Sequence, residues 1–185
     1  MLLWRAKLPD TWLKNVRQQL HGVLVDHAHL ERKAATSAIN LQKYVELRHA
    51  TRELNSIAIE ELQHFNQVLD LLAERNVPLS TPVKSPWIST MMAQIRKGRR
   101  HQVIDHLVAC ALIEGRSCEK FQILAQSVAD LDPGLAAFYA SLVESEGNHY
   151  ATYLILARHI DEAETARRLD FCLLYTSPSP RDQRG

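Results

Sequence analysis

Apolar positions recur at helical spacing along most of this chain, and nowhere do they alternate in a way that predicts a strand. Proline, which interrupts helix interiors, is absent from 10–77 and from 87–132, leaving two stretches free for long helices. With breaks expected near Gly22 and around 43–47, the pattern predicts a short helix from an Asp10 cap to about Leu20. Long helices follow over about 23–43, 47–75, 101–128 and 133–158, with a shorter helical stretch near 88–97. "NVPLSTPVKSPW" (76–87) reads as a proline-punctuated crossover, long for a bundle loop, and "DLDPG" (130–134) as a tight turn. The expected fold is all-α: four long helices in a bundle, with a long crossover in the middle and a short N-terminal helix. The pattern stops at "CLLYTSPSPRDQRG" (172–185), whose Ser/Pro-rich composition reads as a disordered or non-native tail. The folded domain is therefore expected over 1–171, with its natural C-terminal part cut short.

Within each long helix, one glutamate sits in the middle of the apolar stripe. Glu31 has Leu24, His27, Ala28, Ala34, Ala35 and Ala38 one and two turns away. Glu61 lies in line with Leu54, Ile57, Ala58, Phe65, Val68 and Leu72. Glu114 shares its face with Leu107, Cys110, Ala111, Cys118 and Phe121, and Glu146 with Tyr139, Leu142, Val143, Tyr150 and Tyr153. Two of the four, Glu61 and Glu146, are followed one turn later by His64 and His149.

A Glu-x-x-His pair alone is weak evidence, because neighbours at that spacing meet on any helix. A third pair, Glu46/His49, sits at a helix start among polar residues and reads as solvated. The order is what separates signal from chance: Glu31, then Glu61/His64, then Glu114, then Glu146/His149. Glu31 and Glu61 are 30 positions apart and Glu114 and Glu146 are 32, so the two halves read as copies of one helical hairpin. Four carboxylates in a bundle core, left unpaired, would cost several kcal/mol each. Two cations held by four carboxylates and two imidazoles would cancel that charge. Such a set suits iron or manganese better than zinc, and the ligands alone leave those two open. It is the pattern of dimetal carboxylate bundles.

Charge and composition narrow the partners. A net charge of +1 gives no global attraction to nucleic acid or to an acidic membrane, so any such attraction must be local. The longest apolar runs, such as "LVACALI" (107–113), are too short to span a bilayer, and the N-terminus lacks a signal-peptide layout. Cys110, Cys118 and Cys172 form no C-x-x-C, which points to a reducing cytoplasm and away from a rubredoxin-type iron site. "IRKGRRH" (95–101) gathers Arg96, Lys97, Arg99, Arg100 and His101, a local patch that either holds phosphates or is simply a solvated basic turn.

"LERKAA", "EELQHF", "IEGRSCE" and "ESEGNHY", taken together and in order, resemble the MiaE family of tRNA hydroxylases, over nearly the whole stretch from about Leu2 to Phe171. The resemblance implies a ferritin-like four-helix fold with a non-haem di-iron centre. It also implies a monooxygenase that uses dioxygen and two electrons to hydroxylate the isopentenyl side chain of 2-methylthio-isopentenyl-adenosine beside the tRNA anticodon. By position its iron ligands would be Glu31, Glu61, His64, Glu114, Glu146 and His149. Partners implied are tRNA, for which the basic patch is the candidate contact, and an external ferredoxin-like electron donor; no membrane and no oligomer are required. The rival of another class is a rubrerythrin-like peroxide-reducing or iron-oxidising protein, which shares the ligand order. Tyr139, Tyr150 and Tyr153, Cys110 and Cys118, and Trp87 are expected to pack. His27, one turn before Glu31, is expected to pack as well rather than to support the carboxylate.

Overall fold

The computed structural model describes residues 10–82 and 84–175, and among them every regular element is helical. The chain divides into two compact units, one made of Gln18–Ser85 and the other of the chain up to Arg17 together with everything from Pro86 onward.

The Gln18–Ser85 unit is a helical hairpin. Helix α2 (Leu20–Leu41) and helix α3 (Thr51–Glu74) are joined by a 3-10 turn over Val45–Ala50. Leu24, Ala28, Ala35 and Ala38 of α2 bury against Leu54, Ile57, Ala58, Val68 and Leu72 of α3. Each large aliphatic side chain there contributes about 1.5–3 kcal/mol, and the alanines let the two backbones approach closely. Gln42 donates to the Asn55 side chain at 2.8 Å near the turn, while Glu31 faces His64 further along, so the helices run antiparallel. Helix α3 ends with Asn76 at φ 55°, the Val77 N–H bonding back to the Leu72 carbonyl and the Asn76 N–H to that of Ala73. This left-handed cap satisfies carbonyls the helix would otherwise leave bare. The crossover is then drawn along α2: His29 Nε2 donates to the Ser80 carbonyl at 2.7 Å, and its Nδ1 accepts from Arg32.

The second unit holds α1 (Asp10–Gln18), α4 (Pro86–Met92), α5 (Arg99–Ser127), α6 (Pro133–Ile160) and α7 (Glu162–Tyr175). Phe121 stacks on Tyr139 and the Cys118 thiol approaches the Val143 carbonyl, so α5 and α6 are also antiparallel. Their shared core includes Ile104, Leu107, Leu112 and Leu124 on one side and Leu135, Leu142, Leu156 and Ala157 on the other. Asp132 accepts from the Leu135 N–H at 2.9 Å, and Pro133 follows in the first turn, which together fix where α6 starts. Arg17, at the end of α1, forks onto Asp130 in the α5–α6 turn.

Three boundaries differ from the sequence expectation. The break between α1 and α2 falls at Gln19, and Gly22 lies inside a helix, where a glycine costs only about 1 kcal/mol. The short helix expected near 88–97 is α4, confined to Pro86–Met92. The stretch after 158, expected to lead into a tail at 172, instead forms α7, which runs to Tyr175 and buries Thr165, Arg168 and Cys172; residues 176–185 lie outside the described residues.

Helix α7 is held ionically. Asp105 of α5 is almost fully buried and receives the Arg96 guanidinium at 2.7 and 2.9 Å, the Arg96 N–H at 2.8 Å and Arg168 Nε at 2.9 Å. Arg96 also reaches Glu164 of α7 at 2.7 Å, and Arg168 donates to the Gln94 carbonyl. Gly98, at φ 103°, supplies the left-handed turn that brings Arg96 back onto α5, a conformation other residues adopt only under strain.

Candidate metal centre

In the α2–α3 hairpin, helical spacing puts Glu61 and His64 on one face of α3, and antiparallel packing sets Glu31 of α2 against them. None of the three is more than 7% exposed. One ligand atom from each lies within 4.8 Å of the others, and His64 Nδ1 stands 3.5 Å from Glu31 Oε2. His27, also buried, donates from Nε2 to Glu31 Oε1 at 2.5 Å. Burial pushes the Glu31 carboxyl upward. The charge of His27, with hydrogen bonding to His27, His64 and Glu61, outweighs that and holds it well below the usual carboxylate range. Glu31 is therefore an anion at neutral pH, the form a metal needs.

The α5–α6 hairpin repeats the arrangement. Glu114 of α5 meets Glu146 and His149 of α6, none more than 3% exposed, again with one ligand atom from each within 4.8 Å of the others. Tyr139 and Tyr153, each two turns from Glu146, are fully buried, and Tyr139 stacks on the buried Phe121 with ring centroids 5.4 Å apart. Cys110 lies one turn before Glu114. Burial first, then the Glu114 charge, push its thiol up to about 12, so it stays protonated and is no thiolate ligand.

Each hairpin thus gathers two carboxylates and one imidazole in a buried interior, and among the described residues neither cluster includes a cysteine. Buried carboxylates at this density need a cation to offset their desolvation, and oxygen-rich sets with one imidazole suit iron or manganese. The residues present fit a metal. All six sequence-predicted ligands are buried, and each falls into one of these two triads. His49 of the third Glu-x-x-His pair is exposed, in the 3-10 turn.

The basic patch divides. Arg96 is committed to Asp105 and Glu164, which raise its already high basicity further. Lys97 and Arg100 are exposed, although Arg100 donates to Asp161 at 3.0 Å and to the Ile160 carbonyl; the Arg99 side chain lies outside the described residues. Trp87 lies beneath the buried Arg116 guanidinium, 5.9 Å from the ring centre, and Arg116 pairs with Glu119. Sequence reasoning undervalued His27 and passed over Asp105 and Arg168. The four-residue step from His27 to Glu31 was visible in the chain; the long-range partners of Asp105 were not.

The family model for "tRNA-(MS[2]IO[6]A)-hydroxylase (MiaE)" matches residues 2–174. A Pseudomonas putida protein named tRNA 2-(methylsulfanyl)-N(6)-isopentenyladenosine(37) hydroxylase is 38% identical over 161 residues, 86% of this chain and 77% of its own. A Salmonella typhimurium protein of the same name is 38% identical over 112 residues, which span 60% of this chain and 40% of that relative. Among solved structures, "Protein 43 with aldehyde deformylating oxygenase activity from Synechococcus" matches with a TM-score of 0.86 at 29% identity, covering 98% of this chain and 94% of that one. The fold is accordingly all-α and ferritin-like. With the family model matched over almost the whole chain and two hydroxylase relatives at 38% identity, the protein belongs to the MiaE family of tRNA hydroxylases.

Proposed function

We propose that this protein is a di-iron, dioxygen-dependent monooxygenase that hydroxylates the isopentenyl side chain of 2-methylthio-isopentenyl-adenosine next to the tRNA anticodon. The observation that carries this reading is the repeated triad of a lone glutamate and a Glu-x-x-His pair, once per hairpin, in a member of this family. Glu31, Glu61 and His64 with Glu114, Glu146 and His149 would together hold two irons, and four carboxylates balance two divalent ions. The names of the relatives (hydroxylase) and of the structural neighbour (oxygenase) both describe oxidative chemistry, which supports the choice of cofactor. Bound there, iron supplies the redox chemistry that activates dioxygen.

The chain's own residues bind, orient and exclude water. Helices, not loops, carry all six donors, so their spacing is set by rigid backbone. Buried Tyr139, Tyr153, Phe121 and Leu142 keep the α5–α6 triad in apolar surroundings. For the tRNA, exposed Lys97 and Arg100, with Arg99 beside them, would meet backbone phosphates, while Arg96 anchors their turn to Asp105. An unpaired anticodon-loop nucleotide can be turned outward to reach a protein interior at less cost than a base in a duplex. The two electrons come from a separate, ferredoxin-like donor, and the protein works as a monomer in the cytoplasm, where its substrate is found. Among the described residues no helix is long and apolar enough to cross a membrane.

The test uses the full chain, loaded with Fe(II) and assayed for metal content. It is incubated with a reductant, air and tRNA from a strain lacking the hydroxylase, and the digested nucleosides are weighed. The expected result is a gain of one oxygen on the prenylated adenosine. Iron-loaded, folded protein that leaves this nucleoside unchanged would refute the reading.

A further inference from the structure

Glu31 differs from an ordinary buried carboxylate in that its two oxygens face different groups. Oε1 accepts from His27 Nε2 at 2.5 Å, a short charge-assisted bond closed within one turn of α2. Oε2 faces the other way, 3.5 Å from His64 Nδ1 across the hairpin. His27 is 4% exposed and Glu31 likewise, so water does not compete for the bond. Both residues ride on the same helix, which keeps their relative position independent of how the hairpin breathes. We propose that His27 is a positioning residue: it engages Oε1, fixes the carboxylate plane, and leaves Oε2 as the single oxygen Glu31 offers to a metal.

This inference rests on the metal-binding reading above. Groups that orient a ligand in this way are conventionally worth roughly 10- to 100-fold in metal affinity. At the position one turn before Glu114, where α2 has His27, α5 has Cys110, a thiol kept protonated. His27 bonds Glu31 within α2, so its loss should act first on the metal that the α2–α3 triad would hold.

The experiment titrates Mn(II) into the full chain and follows free and bound metal by electron paramagnetic resonance. It compares the unaltered protein with His27→Leu, which keeps bulk but removes the donor, and His27→Gln, whose amide can replace the Nε2–H. Circular dichroism checks that both variants are folded. The expected result is two bound Mn(II) in the unaltered protein, one of them weakened roughly 10- to 100-fold in His27→Leu and recovered to within a few-fold in His27→Gln. If His27→Leu binds both ions as tightly and with the same spectrum, or if His27→Gln is as impaired as His27→Leu, the positioning role is wrong while the metal reading stands. If the unaltered protein binds no Mn(II), the metal reading itself fails, and this inference goes with it. Should His27→Leu fail to fold, His27→Gln decides: near-normal affinity supports the role and a full loss overturns it.

Discussion

Replacing Asp105 by Asn keeps the shape of the side chain, removes its charge and turns one of its two acceptor oxygens into an NH2 donor. Three hydrogen bonds from Arg96, through its N–H, Nε and Nη2, converge on that carboxylate at 2.7–2.9 Å, and Arg168 Nε forms an ion pair with it at 2.9 Å. The two guanidiniums respond differently. Arg96 is 36% exposed and keeps Glu164 at 2.7 Å, so most of its loss is recovered from water and from that second partner. The Arg168 side chain is only 7% exposed and retains one carbonyl, that of Gln94, and the Phe171 ring 4.6 Å away. A buried charge stripped of its counter-ion costs about 3–5 kcal/mol. For a chain of this length, each kcal/mol moves the midpoint by about 2–4 °C, giving a fall of about 6–20 °C. Thermal unfolding followed by circular dichroism at neutral pH measures it. The double variant Asp105→Asn/Arg168→Met removes the stranded charge while keeping its aliphatic packing, and should regain at least half of the loss. A fall below about 2 °C for Asp105→Asn, or a double variant no more stable than the single one, would refute the reasoning.

Glu146→Ala should cut bound iron, measured by elemental analysis of the purified protein, from two per chain to one or fewer, with helicity retained; two tightly held irons in that variant would remove Glu146 from the ligand set. Glu164 is held down to about 2 by its bonds with Arg167 and then Arg96. Because its folded value lies below the unfolded one near 4.5, its contribution is present above that pH and fades as the pH falls from about 4.5 towards 2. The melting-temperature gap between the unaltered protein and Glu164→Gln should therefore be constant above about pH 5 and close on acidification, and a gap that widens there would contradict it. Lys97→Ala should weaken tRNA binding and lower the slope of log affinity against log salt by about 1, at unchanged iron content; an unchanged slope would place Lys97 outside the interface.

The long helices and the candidate ligands were legible in the sequence for the same reason: both are local and periodic. A glutamate in the centre of an apolar stripe, matched in four helices, needs no long-range information to be noticed. Helix α7 was missed because its buried positions are Thr165, Arg168 and Cys172, residues that do not register as an apolar face. Its stability comes from Asp105, some sixty positions away, and a charge partner at that separation leaves no periodic trace. The same holds for Arg96: the sequence left its patch open between a phosphate contact and a solvated basic turn, and its ties to Asp105 and Glu164 were not visible there. His27 falls between these cases: its spacing was local, but the weight of its bond to Glu31 depends on a burial that only packing reveals.

Helix α7 also sets practical limits on shortening or tagging the protein. Its inner face closes with Cys172, which is 3% exposed, and the helix itself runs to Tyr175. A chain trimmed back to Phe171 would give up that last buried contact and leave the ring stacked under Arg168 at a fraying end. A stop or an affinity tag placed after Tyr175 would leave α5, α7 and the turn bearing Lys97 tied together as one electrostatic knot. For anyone choosing where to cut, the four residues between those two positions separate a trimmed enzyme from a weakened one.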